Sequence, residues 1–151
     1  RIMFTVSPIR HLRDGAHENQ LSKSVLLLFV DELCRMYPDR CIYFPSYEIV
    51  MDELRDYRFY DAGMTHPNEQ AIRYIWERFS EACFSEETQT LNREWERLEK
   101  ALNHRPLTPD KDAFRDFTMQ NLFKLKKIWE KYSYFDLSKE IDSLELFLKT
   151  L

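Results

Sequence analysis

The first part of the chain alternates between short continuous apolar runs and one longer amphipathic stretch. Residues 2–6 and 41–44 are uninterrupted runs rich in aliphatic and aromatic side chains, which predicts two strands buried on both faces. Between them, apolar side chains recur at helical spacing over residues 19–37, which predicts an amphipathic helix. Its apolar stripe consists of Leu21, Val25, Leu28, Phe29 and Leu33. This order predicts a βαβ unit with two parallel strands.

The remainder of the chain has the helical period almost throughout. Ser46 predicts the cap of a short helix that reaches about Leu54, and Pro67 predicts the first turn of another helix. Three more helices follow, and their predicted starts are Ser85, the pair Thr108–Pro109 and Ser138. The pattern therefore predicts one βαβ unit followed by a mainly α-helical stretch.

Two parallel strands do not make a stable sheet by themselves, because strands that are apolar on both faces need neighbours at both edges. The chain begins at Arg1 without an initiator methionine and enters the first predicted strand at once. We therefore expect a piece of a longer protein, with the missing strands supplied by preceding sequence. A second copy of the chain, or helices folded over the edge, are the alternatives. If the piece folds alone, the open edges predict self-association.

Composition narrows the class of protein. The 151 residues are 44% hydrophobic and 32% charged, with a net charge of −4 and only 2 glycines, which is typical of a folded, glycine-poor domain. The acidic balance argues against a nucleic-acid partner, and no apolar run approaches the roughly 20 residues of a membrane span. The 3 cysteines have no paired spacing, so we expect buried thiols in a reducing, cytoplasmic setting. Any export signal would precede Arg1, which leaves localisation open.

Several polar side chains follow the two predicted strands. His66 lies in the loop after the second strand, and Ser7 and His11 follow the first. Because ligands of parallel sheets bind beyond the carboxyl ends of the strands, these residues indicate a site at one edge. The alternative interpretation of His66 is a surface histidine that caps a helix. The sequence contains no metal-ligand spacing and no glycine-rich phosphate loop, so we expect neither a metal nor an organic cofactor.

Five ordered blocks of sequence carry a family resemblance. They are FTVSPIRHLRDG (residues 4–15), Asn19 with Ser22–Lys23, YFPSYEI (43–49), DELRDYRFY (52–60) and MTHPNEQA (64–71). Together they resemble the GSCFA-domain family, a branch of the SGNH (GDSL-like) hydrolases. The resemblance covers residues 1–84 as the end of that domain. Residues 85–151 resemble the helical extension that follows it in bacterial members.

The resemblance implies a flavodoxin-like α/β sandwich and serine ester hydrolase chemistry. A serine near the amino terminus of the domain attacks an ester carbonyl, and a late DxxH motif supplies the general base with its orienting carboxylate. His66 matches the family histidine, but Gly63 occupies the position of the motif aspartate. Asp61, two residues further upstream, is the substitute carboxylate, unless the histidine works without one. The further pocket residues are Ser7, His11, Asn19, Lys23 and Arg58.

The block that names the family, with its nucleophile, is absent from the sequence. We therefore expect the carboxyl-terminal portion of a hydrolase that acts on a carboxylic or O-acetyl ester, such as an acylated glycan, and that is inactive in isolation. One alternative is a non-catalytic interaction or dimerisation module on a degenerate hydrolase fold, which associates through the sheet edge or the C-terminal helices. Another is an acyltransferase that uses the same serine chemistry with a hydroxyl acceptor.

Overall fold

The computed structural model of the chain describes residues 1–103 and 111–150 and divides it into two compact units, Arg1–Phe84 and Ser85–Leu151. Within those residues the first unit holds a two-stranded sheet with helices, and the second holds helices. The predicted helix start at Thr108–Pro109 lies outside the described residues. The mainly helical character that the sequence predicts is confirmed.

The βαβ unit is confirmed. Strand β1 (Ile2–Phe4) pairs in parallel with β2 (Cys41–Tyr43), and helix α1 (Gly15–Met36) joins them. The register places Met3 opposite Ile42. Both strands are shorter than predicted and α1 is longer. The three-residue pairing ends at Phe4, and the chain beyond it turns into the polar loop that precedes α1.

The prediction that both strands are buried on both faces is wrong. Ile2 is 56% exposed and Ile42 is 40% exposed, whereas Cys41 is buried. Two strands of three residues form a ribbon too narrow to be covered on both sides, and each has one unpaired edge within the described residues. The strands therefore carry more apolar side chains than this unit buries.

The apolar stripe predicted for α1 is also not the buried face of that helix. Leu28 is 71% exposed and Val25 is 66% exposed, while Lys23 and Val30 are buried. The buried side is the one on which α1 packs towards β2, and that side lies across the helix from the stripe. The first unit therefore presents an uncovered apolar face (the α1 stripe) that no other described element of the unit covers.

The chain after β2 forms the core of the first unit. Helix α2 (Ser46–Glu48) continues into a π-helical turn, Ile49–Glu53. The prediction of Ser46 as a cap is wrong: Pro45 precedes the helix, and the Ser46 hydroxyl instead donates to the Val6 carbonyl at 3.0 Å. This bond ties α2 to the chain just after β1.

Helix α3 (Glu69–Cys83) closes the first unit. Its cap is Asn68, whose Oδ1 accepts a hydrogen bond from the Ala71 amide at 3.1 Å. The prediction of Pro67 as the first helical residue is wrong, because the helix begins at Glu69 and Pro67 precedes the cap. Ala71 is fully buried, and Phe79 packs edge-on against Phe44 with ring centroids 5.1 Å apart. The remaining buried residues of this core are Ile49, Val50, Leu54 and Tyr60.

The second unit contains α4 (Glu86–Leu102), α5 (Lys111–Lys131) and α6 (Ser138–Thr150). Ser85 caps α4 as predicted, because its hydroxyl accepts the Thr88 amide at 3.2 Å. The apolar faces of the three helices converge on one core. Its buried residues are Leu91, Leu98, Leu125, Ile128, Tyr132, Leu137 and Ile141.

The two glycines of the chain give a matched pair of stability predictions. Gly15 has φ of +87°, so Gly15→Ala forces an L-residue into the left-handed region and should cost about 1–2 kcal/mol. Gly63 has no such φ, and a Cβ there would meet the Asp61 carboxylate at 3.5 Å, an ordinary contact. Gly63→Ala should therefore be neutral or stabilise by about 0.4–1 kcal/mol. Urea unfolding of both variants measures the difference, and equal effects would contradict it.

Candidate functional site

The loop that holds His66 is a tight reversal between Tyr60 and Pro67, which form an antiparallel bridge. The Asp61 amide donates to the His66 carbonyl at 2.8 Å, and the Met64 amide donates to the Asp61 carbonyl at 3.0 Å. Met64 takes φ of +58°, the left-handed conformation that tight turns use. This reversal (the His66 hairpin) brings residue 61 beside residue 66.

The Asp61 carboxylate lies against the His66 imidazole. Its Oδ2 is 3.5 Å from His66 Nδ1, and its Oδ1 accepts the backbone amides of Thr65 and His66 at 3.3 and 3.4 Å. The Thr65 hydroxyl is hydrogen-bonded to the same Nδ1 at 2.9 Å. A Cβ on Gly63 would lie beside this carboxylate. Asp61 therefore reaches the histidine from a position five residues upstream.

Both members of the Asp61–His66 pair are accessible: the imidazole is 58% exposed and the carboxylate is 42% exposed. The Asp61 carboxylate and the Thr65 hydroxyl both contact His66 Nδ1. Within the described residues, His66 Nε2 has no hydrogen-bond partner. A histidine held at one nitrogen and open at the other can take a proton from an incoming hydroxyl. In residues 1–103 and 111–150, no serine hydroxyl contacts the imidazole.

The loop after β1 and the first turns of α1 contain four of the predicted pocket residues, Ser7 and His11 in the loop and Asn19 and Lys23 on the helix. The Ser7 hydroxyl accepts the Ile9 amide at 3.3 Å, and the His11 amide donates to Asn19 Oδ1 at 3.0 Å. Lys23 is 3% exposed, and its Nζ lies 3.5 Å from His11 Nε2. Burial lowers the pKa of the Lys23 ammonium. The structure thus brings His11, Asn19 and Lys23 together.

Arg10 connects this loop to the His66 hairpin, and the sequence analysis missed it. Its backbone amide donates to the Thr65 carbonyl at 3.1 Å, and its guanidinium donates to the Met64 carbonyl at 3.3 Å. The guanidinium also lies 4.2 Å from the ring centroid of Tyr60 and 5.4 Å from that of Tyr57. Its place inside the SPIRH string, directly before His11, was the available signal.

Arg58, the fifth predicted pocket residue, contacts Phe59 and Asp56 rather than the other pocket residues. Its guanidinium is 4.8 Å from the Phe59 ring centroid, and its Nε is 3.9 Å from Asp56 Oδ2. The side chain is 71% exposed and makes no contact with His66 among the described residues. The structure therefore separates Arg58 from the other pocket residues.

Removing the Arg10 side chain should loosen the His66 hairpin. Arg10→Met keeps the backbone bond to Thr65 but loses the ring contacts and the bond to Met64, together worth about 1–2 kcal/mol. Amide hydrogen exchange at Asp61 and Met64 should become about tenfold faster. Arg13→Met, an exposed neighbour on the same loop, is the control and should leave both amides unchanged. Equal exchange in the two variants would contradict this anchoring role.

The described residues contain neither a metal-binding cluster nor a membrane-spanning helix. No group of three histidine, cysteine, aspartate or glutamate side chains there has the arrangement of a metal site. None of the helices described is both long and apolar enough to cross a bilayer. The three cysteines are free thiols, of which Cys41 is buried. The Asp61–His66 pair and the loop that Arg10 joins to it form the candidate site of the first unit.

Comparison with known proteins gives two matches along the chain. The sequence model of the GSCFA family matches residues 1–79. A second one, described as the C-terminal domain of GSCFA domain proteins, matches residues 95–150. No curated protein and no solved structure matches the chain. The two matches fall within the first and the second compact unit, respectively.

Proposed function

Because this chain belongs to the GSCFA family, we propose that its first unit is the carboxyl-terminal part of an SGNH-like serine ester hydrolase. Residues 1–84 would complete the α/β domain, and residues 85–151 would be its helical extension. The observation that carries the proposal is the Asp61–His66 pair. A carboxylate beside a histidine with one free ring nitrogen is the arrangement that a serine nucleophile requires.

In the proposed mechanism, His66 is the general base. Its Nε2 takes the proton of the serine hydroxyl as the oxygen attacks the ester carbonyl. The imidazolium then gives that proton to the departing alcohol, and a water molecule, activated in the same way, releases the acid. The Asp61 carboxylate and the Thr65 hydroxyl hold Nδ1, and Asp61 stabilises the positive charge.

The proposed nucleophile belongs to the GSCFA block, which the sequence does not contain. No serine hydroxyl in the described residues contacts His66. We propose that Ser7 and His11 in the loop after β1, together with Asn19 and Lys23 on α1, form a polar wall of the pocket. Arg10 holds this wall against the His66 hairpin. The proposed substrate is a small carboxylic or O-acetyl ester, such as an acylated glycan.

A serine-directed fluorophosphonate tests the proposal in a protein that carries both the GSCFA block and these residues. Such a probe forms a bond to an activated serine hydroxyl and not to an ordinary one. We expect labelling of the wild type and its loss in His66→Ala. His17→Ala, an exposed histidine on α1, is the matched control and should label like the wild type. Equal labelling of His66→Ala and the wild type would show that His66 is not the base.

A second function is supported by the uncovered α1 stripe. Four large apolar side chains, Leu21, Val25, Leu28 and Phe29, are between 47% and 71% exposed on one side of this helix. Exposed patches of this kind mark interaction surfaces. We propose that in the isolated chain this stripe pairs with a second copy. Sedimentation at tens of micromolar should show a dimer that Val25→Glu disrupts; a strict monomer would contradict it.

A further inference from the structure

The second unit contains a groove between α4 and α5 that the hydrolase proposal does not use. It encloses about 340 Å³, within the range of small-molecule sites. Its apolar surface comes from Leu98, Ala101 and Ile128, of which the leucine and isoleucine belong to the core of the unit. The groove therefore has a preformed apolar base.

A buried amide opens into this groove. Asn121 on α5 is 3% exposed and lines both the groove and a second cavity of about 220 Å³. Within the described residues, the Asn121 side chain has no hydrogen-bond partner. Every polar side-chain atom there that is fully shielded from solvent does have a partner, so the Asn121 amide is not fully shielded. The amide atoms must therefore reach the space of the cavities. Buried amides in proteins are normally hydrogen-bonded, so this one is available to water or to a ligand.

The rim of the groove is positively charged. Arg97, Lys124 and Lys127 line it, with Glu94 as the one carboxylate. No carboxylate lies within ion-pair distance of these three cations in the part of the chain that the structure describes. Lys126, on the same helix, is by contrast paired with Glu145 at 2.6 Å. Lys127 Nζ lies 4.5 Å from the Phe123 ring centroid. The groove thus has three cations that no described carboxylate pairs, beside an apolar base.

We propose that the α4–α5 groove binds a small amphipathic anion, a carboxylate attached to a short aliphatic chain. The chain would lie on Leu98, Ala101 and Ile128, and the carboxylate would face Lys124 and its cationic neighbours. The Asn121 amide would donate a hydrogen bond to a carboxylate oxygen. Apolar contact combined with a few placed polar groups is the usual composition of a small-molecule site.

Nuclear magnetic resonance titration of this chain with octanoate, below its micelle concentration, tests the site. We expect saturable shifts of the Asn121 and Lys124 backbone amides. Octanol, which has the same chain without the charge, should bind at least about tenfold more weakly, because it lacks the charge-assisted contacts. No saturable shift with octanoate, or equal affinity for both probes, would overturn the proposal.

Variants separate a specific site from general attraction to a basic surface. Lys124→Gln combined with Lys127→Gln should weaken octanoate binding about tenfold. Lys126→Gln removes a charge from the opposite side of α5 and should leave binding unchanged. Asn121→Leu fills the polar position with a side chain of similar size and should also weaken binding, while circular dichroism reports whether the helices persist. Equal losses in the Lys126 variant and in the double variant would overturn the proposal.

Discussion

Replacing Asp61 with Asn should lower kcat for ester hydrolysis about 10³- to 10⁴-fold in a protein that carries the GSCFA block, with KM little changed. The carboxylate lies 3.5 Å from His66 Nδ1, at the nitrogen opposite the one that takes the proton. An amide at residue 61 cannot stabilise the imidazolium, and it can hold the ring in the wrong tautomer. Steady-state kinetics with p-nitrophenyl acetate measure both constants.

Two further variants make the Asp61 result specific. Asp56→Asn removes a nearby carboxylate that contacts Arg58 and should leave kcat within about twofold. Gly63→Asp in the Asp61→Asn background returns a carboxylate to the hairpin, since a Cβ at residue 63 has ordinary contacts there, and should recover part of the rate. Wild-type kcat in Asp61→Asn would mean that His66 works without a carboxylate partner.

Replacing Leu125 with Ala should destabilise the helical unit by about 2–5 kcal/mol. Leu125 on α5 is fully buried, and it belongs to the core cluster that contains Leu98 and Ile128. Truncation removes apolar contacts and leaves a cavity that the surrounding helices can fill only in part. Urea unfolding of the chain, followed by helical circular dichroism, gives the change in the free energy of unfolding.

The same helix provides a matched control for Leu125→Ala. Met119 is 52% exposed, so Met119→Ala removes a side chain of comparable size with little loss of buried contact. Its expected effect is within about 0.5 kcal/mol of the wild type. Equal losses of stability in the two variants, or a loss below about 1 kcal/mol in Leu125→Ala, would contradict the assignment of Leu125 to the core.

Periodicity predicted the elements of the first unit but not their buried faces. The order of strand, helix and strand follows from the apolar runs, and the structure has it in a parallel register. The stripe of Val25 and Leu28 is nevertheless exposed, while Lys23 is buried on the other side of the same helix. Which face is buried depends on the partners that an element meets, and the sequence of one helix contains no information about them.

The candidate site was likewise predictable in its location but not in its contacts. His66 could be located because loops after parallel strands gather at one edge of a sheet. The contact between Asp61 and His66 depends on the backbone bonds of the hairpin and on the left-handed turn at Met64, which spacing alone does not reveal. The same is true of Arg10, whose hydrogen-bond partners Met64 and Thr65 lie more than fifty residues away. The sequence therefore pointed to His66 and to Asp61 as its carboxylate, but not to Thr65 or Arg10, which also hold the hairpin.

The most direct test of the proposed hydrolase is the hydrolysis of p-nitrophenyl acetate and its longer acyl homologues by a protein that carries the GSCFA block, side by side with its His66→Ala variant. With His66 as the base that activates the serine, turnover in the variant should fall at least about 10³-fold across the series. Equal rates in both proteins would contradict the assignment of His66 as the general base.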